Sequence, residues 1–174
     1  GTLMADALRA ASTLAAFSKA VRPHLVETSP RLTKIQKHTL ACHDVNWHQD
    51  LIEVPNGPTI LFANELFDAL PIRQFLNTPN GWRERLVDLN EKRIDGEPNF
   101  RFIESLRISP ALMLIDEPVK IAPKGSVAEI CLAGISLMNM IAKRIAKFGG
   151  AALVIDFGYT QSQPGDTLQS LKQH

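Results

Sequence analysis

Pro58-Thr59-Ile60-Leu61-Phe62-Ala63-Asn64 is the stretch that decides the fold. Its apolar run is continuous rather than alternating, and Pro58 and Asn64 bound it. That is the pattern of a strand buried on both faces of a parallel sheet. Ala151 to Phe157 repeats the pattern toward the other end of the chain. Just before it, Ile135, Met138, Ile141, Ala142 and Ile145 recur at helical spacing across Leu132 to Phe148. Lys143, Arg144 and Lys147 crowd the last turns of that helix, and Gly149-Gly150 supplies its stop. Helices alternating with short buried strands predict an α/β fold with a mainly parallel sheet.

Outward from this core the periodicity predicts one helix from Thr2 to Lys19, with Asp6 in its first turn complementing the dipole. Arg22-Pro23 ends it, and His24-Leu25-Val26-Glu27 reads as extended. Ser29-Pro30 is an N-cap followed by a first-turn proline, opening a helix with Leu32, Ile35 and Leu40 inward. Val45 to His48 is a short strand. Ile72 to Asn77 and Trp82 to Leu89 flank Pro79-Asn80-Gly81, which reads as an antiparallel hairpin interrupting the parallel order, with Phe100 to Glu104 as its third strand. Residues 105–125 carry no decisive pattern.

The 174 residues suit one domain, and 45% hydrophobic with 21% charged residues is an ordinary globular mixture. A disordered tail, a collagen-like rod and a disulfide scaffold are excluded. The net charge of +1 leaves no basic surplus for nucleic acid or an anionic membrane. No stretch approaches the ~20 apolar residues of a membrane span. Cys42 and Cys131 read as two reduced thiols, and Cys42-His43-Asp44 with His38 and His48 as a polar loop without metal-site spacing. The chain starts at Gly1 directly in a helix-like pattern, so an internal piece of a longer protein is expected.

Ligands of open parallel sheets bind beyond the carboxyl ends of the strands. Those ends are Glu27, then His48-Gln49-Asp50, then Asn64-Glu65, then Asp156-Phe157-Gly158, each with an acidic or amide residue. An acid at an early strand tip suits ribose hydroxyls, because one carboxylate accepts two O–H bonds. Trp82, Arg83 and Arg85 read equally as a substrate-facing cap or a solvated strand face. Tyr159, Asp166 and Thr167 lie in a loop that either closes over the site or simply connects.

Glu27-Thr28-Ser29-Pro30-Arg31-Leu32 resembles the second strand and following turn of class I S-adenosylmethionine-dependent methyltransferases. Val45-Asn46-Trp47-His48-Gln49-Asp50-Leu51 resembles their third strand, and Lys147 to Asp156 their fifth. More narrowly, Ala63-Asn64-Glu65-Leu66-Phe67-Asp68-Ala69-Leu70-Pro71-Ile72-Arg73-Gln74-Phe75, Gly81-Trp82-Arg83-Glu84-Arg85 and Gly158 followed by Gly165-Asp166-Thr167-Leu168-Gln169 are similar to the MidA family. Its eukaryotic members include the mitochondrial complex I assembly factor with protein-arginine methyltransferase activity. The resemblance spans nearly the whole chain.

It implies a Rossmann-like methyltransferase domain over residues 1–174. The domain would be incomplete here, lacking the first strand and all but Gly1 of a glycine-rich loop, with a hairpin inserted at about 72–104. It further implies that Glu27 holds the ribose hydroxyls of S-adenosylmethionine, that Asp50 and Leu51 line the adenine, and that Asn64 and Glu65 close the methionine end. Glu65 and Asp68 are the candidate catalytic carboxylates, since a guanidinium nucleophile must be oriented and must lose a proton. The implied partner is a protein substrate, an NADH dehydrogenase subunit among the candidates, with a homodimer left open. The implied location is the cytoplasm in a bacterium or the mitochondrial matrix in a eukaryote. Asn64-Glu65-Leu66-Phe67 departs from the Pro-Pro-aromatic motif of base-modifying enzymes, which speaks against nucleic acid. The paired-glutamate loop of common arginine methyltransferases is not visible, so arginine rests on the resemblance. The rival expectation is a noncatalytic assembly or binding module that keeps the fold and uses the hairpin for docking.

Overall fold

The computed structural model describes residues 1–94 and 97–169. Residues 95–96 of the expected insertion and residues 170–174 of the expected domain lie outside the described residues. The chain divides into two compact units, Gly1–Pro58 and Thr59–His174.

In the first unit, α1 (Thr2–Ala11) and α2 (Ala15–Ala20) replace the single helix expected over Thr2 to Lys19. The break falls at Ser12-Thr13, whose hydroxyls donate to the Arg9 and Ala10 carbonyls at 2.7 and 3.3 Å and compete with the helical ladder. Asp6 lies past the first turn and pairs with Arg9 at 2.7 Å instead of serving the dipole. β1 (His24–Val26) runs parallel to β2 (Asn46–His48), with Leu25 opposite Trp47. Between them, α3 (Pro30–Thr39) starts as its sequence predicts, the Ser29 hydroxyl accepting from Leu32 N at 3.3 Å. Of the three residues expected inward only Leu40 is buried; Leu32 and Ile35 are about half exposed. Two strands of 3 residues each offer too little surface to cover a helix of 10.

The second unit opens with β3 (Thr59–Asn64), which pairs in parallel with β8 (Gly150–Ile155) from Thr59 opposite Gly150 to Asn64 opposite Ile155. The helix α5 (Leu132–Phe148) feeds β8 and is closed by Gly149, as the Gly-Gly stop predicts. Gly150 has φ +122°, and a Cβ there would sit 1.9 Å from the Thr59 carbonyl oxygen, so only glycine fits this first rung. Burial on both faces is not what β3 and β8 show. Arg144 of α5 donates to the Thr59 hydroxyl at 3.0 Å, and Ala63 on the same face is buried. On the opposite face Ile60 (60%), Phe62 (43%), Leu153 (51%) and Ile155 (48%) are exposed, because one helix covers one side of a two-stranded ribbon.

The largest sheet is antiparallel, which corrects the mainly parallel expectation. Its order is β6-β5-β4-β7, formed by β4 (Arg73–Thr78), β5 (Gly81–Ile94), β6 (Glu97–Glu104) and β7 (Val127–Ile130). Short connections force β4, β5 and β6 to run antiparallel, since a parallel partner needs a long crossover. The β4–β5 turn is tied where Thr78 Oγ1 donates to the Gly81 carbonyl at 2.7 Å, with Gly81 at φ +93°. β7 was not foreseen. It brings Ala128 and Ile130 beside the fully buried Phe75, and this face packs on Ala111, Ile115 and Val119. The last three come from the 3-10 turn Pro110–Leu114, the residue after it, and α4 (Glu117–Lys120).

Candidate functional site

In the first unit, Glu27 is half buried just past β1, and its carboxylate is already oriented. One oxygen accepts from Ser29 N at 2.9 Å and the other from Gln36 Nε2 at 2.9 Å, while Gln36 Oε1 accepts from Trp47 Nε1 at 3.0 Å. An ionised carboxylate has about four acceptor positions, and these bonds use two. Gly1 precedes α1, and a Cβ on it would lie 3.3 Å from Gln36 Cα and from Thr39 Cβ. Gly1 and Glu27 therefore meet around one residue, Gln36, which the sequence reading did not single out. Asp50 follows β2 and accepts from Ile52 N at 3.0 Å, capping the 3-10 turn that begins with the half-buried Leu51. His48 Nε2 lies 2.8 Å from His24 Nδ1. Among the described residues no three His, Cys, Asp or Glu side chains are grouped so as to hold a metal.

In the second unit, Asn64 ends β3 and Glu65 and Asp68 follow it, all three exposed. Glu65 has φ +47°, a left-handed conformation that costs a non-glycine residue roughly 1–2 kcal/mol. Its N–H makes the last ladder bond, 2.8 Å to the Ile155 carbonyl. Beyond it, one Asp156 oxygen accepts from both Leu66 N (3.1 Å) and Phe67 N (2.7 Å), and the other from Phe157 N at 3.0 Å. Hydrogen bonds to a charged acceptor are worth about 1.5–3 kcal/mol each, enough to outweigh the strain. Asp156 was recognised only as the fourth strand-end acid; its register with the other three was the signal that could have placed it in the site.

On the antiparallel sheet, the buried Gln74 donates to Glu129 at 2.8 Å and to Asp166 at 2.7 Å, and Arg85 donates to Asp166 at 2.6 Å. The Arg85 guanidinium, with help from the Gln74 amide, holds the Asp166 carboxyl below the usual carboxylate range. Thr167 donates to Glu129 through its N–H at 2.9 Å and through its hydroxyl. The loop after β8 is thus fastened to the sheet. Beneath it lies a cavity of about 380 Å³ lined by Asp116, Glu129, Tyr159, Gln161, Ser162 and Thr167, among others. Trp82 turns into the core and donates to the Lys120 carbonyl at 3.2 Å, so a substrate-facing cap of Trp82 with both arginines is not formed. Glu84 grips Arg73 through two bonds of 2.6 and 2.5 Å, which raises the arginine further above its ordinary value.

The sequence model of a family described as "Putative S-adenosyl-L-methionine-dependent methyltransferase" matches residues 1–174. The Mus musculus protein "Protein arginine methyltransferase NDUFAF7, mitochondrial" is 33% identical, with 100% of this chain and 44% of that protein aligned. The Homo sapiens protein of the same name is 31% identical over 100% of this chain and 43% of its own length. The chain thus spans less than half the length of these relatives. A Burkholderia thailandensis protein crystallised with S-adenosyl-homocysteine is similar with a TM-score of 0.61 and 25% identity, covering 88% of this chain and 39% of that one. The match from the first residue to the last makes this chain a member of that methyltransferase family.

Proposed function

We propose that the protein is an S-adenosylmethionine-dependent methyltransferase that modifies arginine in a protein substrate and supports assembly of a respiratory NADH dehydrogenase. The observation that carries the reading is Glu65, an acidic residue held at φ +47° immediately past the carboxyl end of a parallel strand. Strained non-glycine residues persist where the fold over-determines them, and such sites cluster at active centres. The names of the mouse and human relatives support arginine and a mitochondrial setting, the matrix in a eukaryotic source. In a bacterial source the cytoplasm is the corresponding compartment. The unbroken family match supports one methyltransferase domain over residues 1–174; the antiparallel β4–β5–β6 run supports reading about 72–104 as an insertion into it.

Glu27 fits the chemistry of the cofactor's ribose. Glu27 keeps acceptor capacity for two ribose hydroxyls after its bonds to Ser29 and Gln36. Asp50 and Leu51 would flank the adenine, and Asn64 the methionine end. Gly1 would belong to the loop beside that end. The bound cofactor supplies an electrophilic methyl on a sulfonium. Glu65 and Asp68 would orient a guanidinium, and one of them would take the proton that it loses on methylation.

Calorimetric titration of the full-length protein with S-adenosyl-homocysteine is the first test. Saturable binding that falls about tenfold or more in Glu27→Gln supports the reading, followed by transfer of labelled methyl to protein arginine. A folded sample with no binding at millimolar ligand would instead favour a noncatalytic module.

A further inference from the structure

The Glu65 turn is secured on both sides of the strained residue. Before it, the Glu65 N–H closes the β3–β8 ladder on Ile155. After it, the Asp156 carboxylate collects the next two N–H groups, those of Leu66 and Phe67, while also accepting from Phe157 N. One carboxylate therefore joins the loops that leave two neighbouring strands. The Phe67 side chain adds a third hold. A Cβ on Gly134, in the first turn of α5, would lie 3.4 Å from Phe67 Cδ1, so the ring sits against the start of that helix. Gly134 N in turn donates to Cys131 Sγ at 3.2 Å, which fixes the start of the helix.

A glycine at position 65 would adopt the same φ without strain. Keeping glutamate there, exposed at the end of the ladder, makes sense if the side chain is needed and the backbone is forced to present it. Asp156 is the group that does the forcing. We propose that Asp156 is a positioning residue for methyl transfer: by accepting the Leu66 and Phe67 N–H groups it sets the turn that presents Glu65, and it acts through Glu65 without touching substrate. The inference rests on the catalytic reading of Glu65.

The test uses the full-length protein and two independent readouts. The first is thermal stability in a double-mutant cycle. Glu65→Gly relieves the strain and raises the midpoint by a few degrees in the native background, and that gain disappears when Asp156→Ala frees the turn. An equal gain in both backgrounds would show that Asp156 does not set the conformation of Glu65, and the proposal fails. The second is steady-state kinetics at a temperature where every variant is folded. Asp156→Ala lowers kcat about 10- to 100-fold, with KM for S-adenosylmethionine changed less than about twofold. Asp156→Asn, which keeps one acceptor oxygen, recovers part of the loss. An unchanged kcat in Asp156→Ala, or a loss confined to KM, overturns the proposal. Should Glu65→Gln turn over normally, the catalytic reading of Glu65 is what has failed, and the stability cycle still reports whether the latch exists.

Discussion

The antiparallel sheet β4–β7 and the parallel pair β3–β8 belong to the same unit but are held together by different means. The first encloses a fully buried Phe75 among Ala128, Ile130, Ala111, Ile115 and Val119, and its other face is tied by Gln74, Arg85, Glu129 and Asp166. The second is covered by α5 on one side and leaves Ile60, Phe62, Leu153 and Ile155 exposed on the other. Its carboxyl end carries the strained Glu65, the exposed Asn64 and Asp68, and the Asp156 latch. Packing is concentrated in the sheet and chemistry-bearing groups at the end of the pair. The difference teaches that stability and the proposed reaction can be perturbed separately.

The largest effect is expected in the sheet. Phe75→Ala should leave a cavity and cost about 3–5 kcal/mol, measured by denaturant unfolding. A loss below 1 kcal/mol would mean that the sheet is not the more tightly packed region. Gly150→Ala comes next, at roughly 3 kcal/mol or more, because the Cβ collides with the Thr59 carbonyl at the first rung of the parallel pair. The same unfolding measurement checks it, and a neutral outcome would mean the two strands are not in this register. Glu65→Gln should reverse the balance. Its unfolding midpoint should stay within about 0.5 kcal/mol of native, while kcat drops about 10²-fold or more in a methyl-transfer assay.

The smallest effect concerns the strap on the sheet. The Asp166 carboxyl is lowered by Arg85 and Gln74, so its contribution is full above the unfolded value near 3.9 and lost as pH falls through the folded one. About half of the Asp166 side chain is exposed, which limits the pair to under about 1 kcal/mol and makes it salt-sensitive. Asp166→Asn should therefore destabilise slightly at pH 7 and by less at pH 3. Equal destabilisation at both values would show that the side chain matters for shape rather than charge.

Legibility in the sequence follows the same division. Local signals with one physical meaning carried through: the Ser29-Pro30 cap, the Gly149-Gly150 stop, the turn at Gly81, and the strands at His24, Asn46, Thr59 and Ala151. The split at Ser12-Thr13 was hidden because alanine-rich sequence keeps helical spacing on both sides of the hydroxyl pair. Ser109-Pro110 repeats the Ser-Pro signal and does open the 3-10 turn, its hydroxyl accepting from Ala111 N at 3.2 Å. It went unread because the element behind it is too short to show a period. Exposure of Ile60 and Phe62 was illegible for another reason: an apolar run states what a strand can bury, not what lies over it. The strand-end acids were visible in order, but not the φ of Glu65 or the grip of Asp156 on its turn, which need residues 65 and 156 side by side.

The fastened loop has a consequence for how copies of the sheet could associate. Gly165 N donates to the Val127 carbonyl at 2.9 Å and Thr167 N to the Glu129 carboxylate, so the chain itself takes one backbone acceptor on the outer rim of β7. Among the described residues β6 forms the opposite border with no strand beyond it. Accretion strand by strand is then hindered at β7 more than at β6. Cross-linking of an aggregate should find more joints at β6 than at β7.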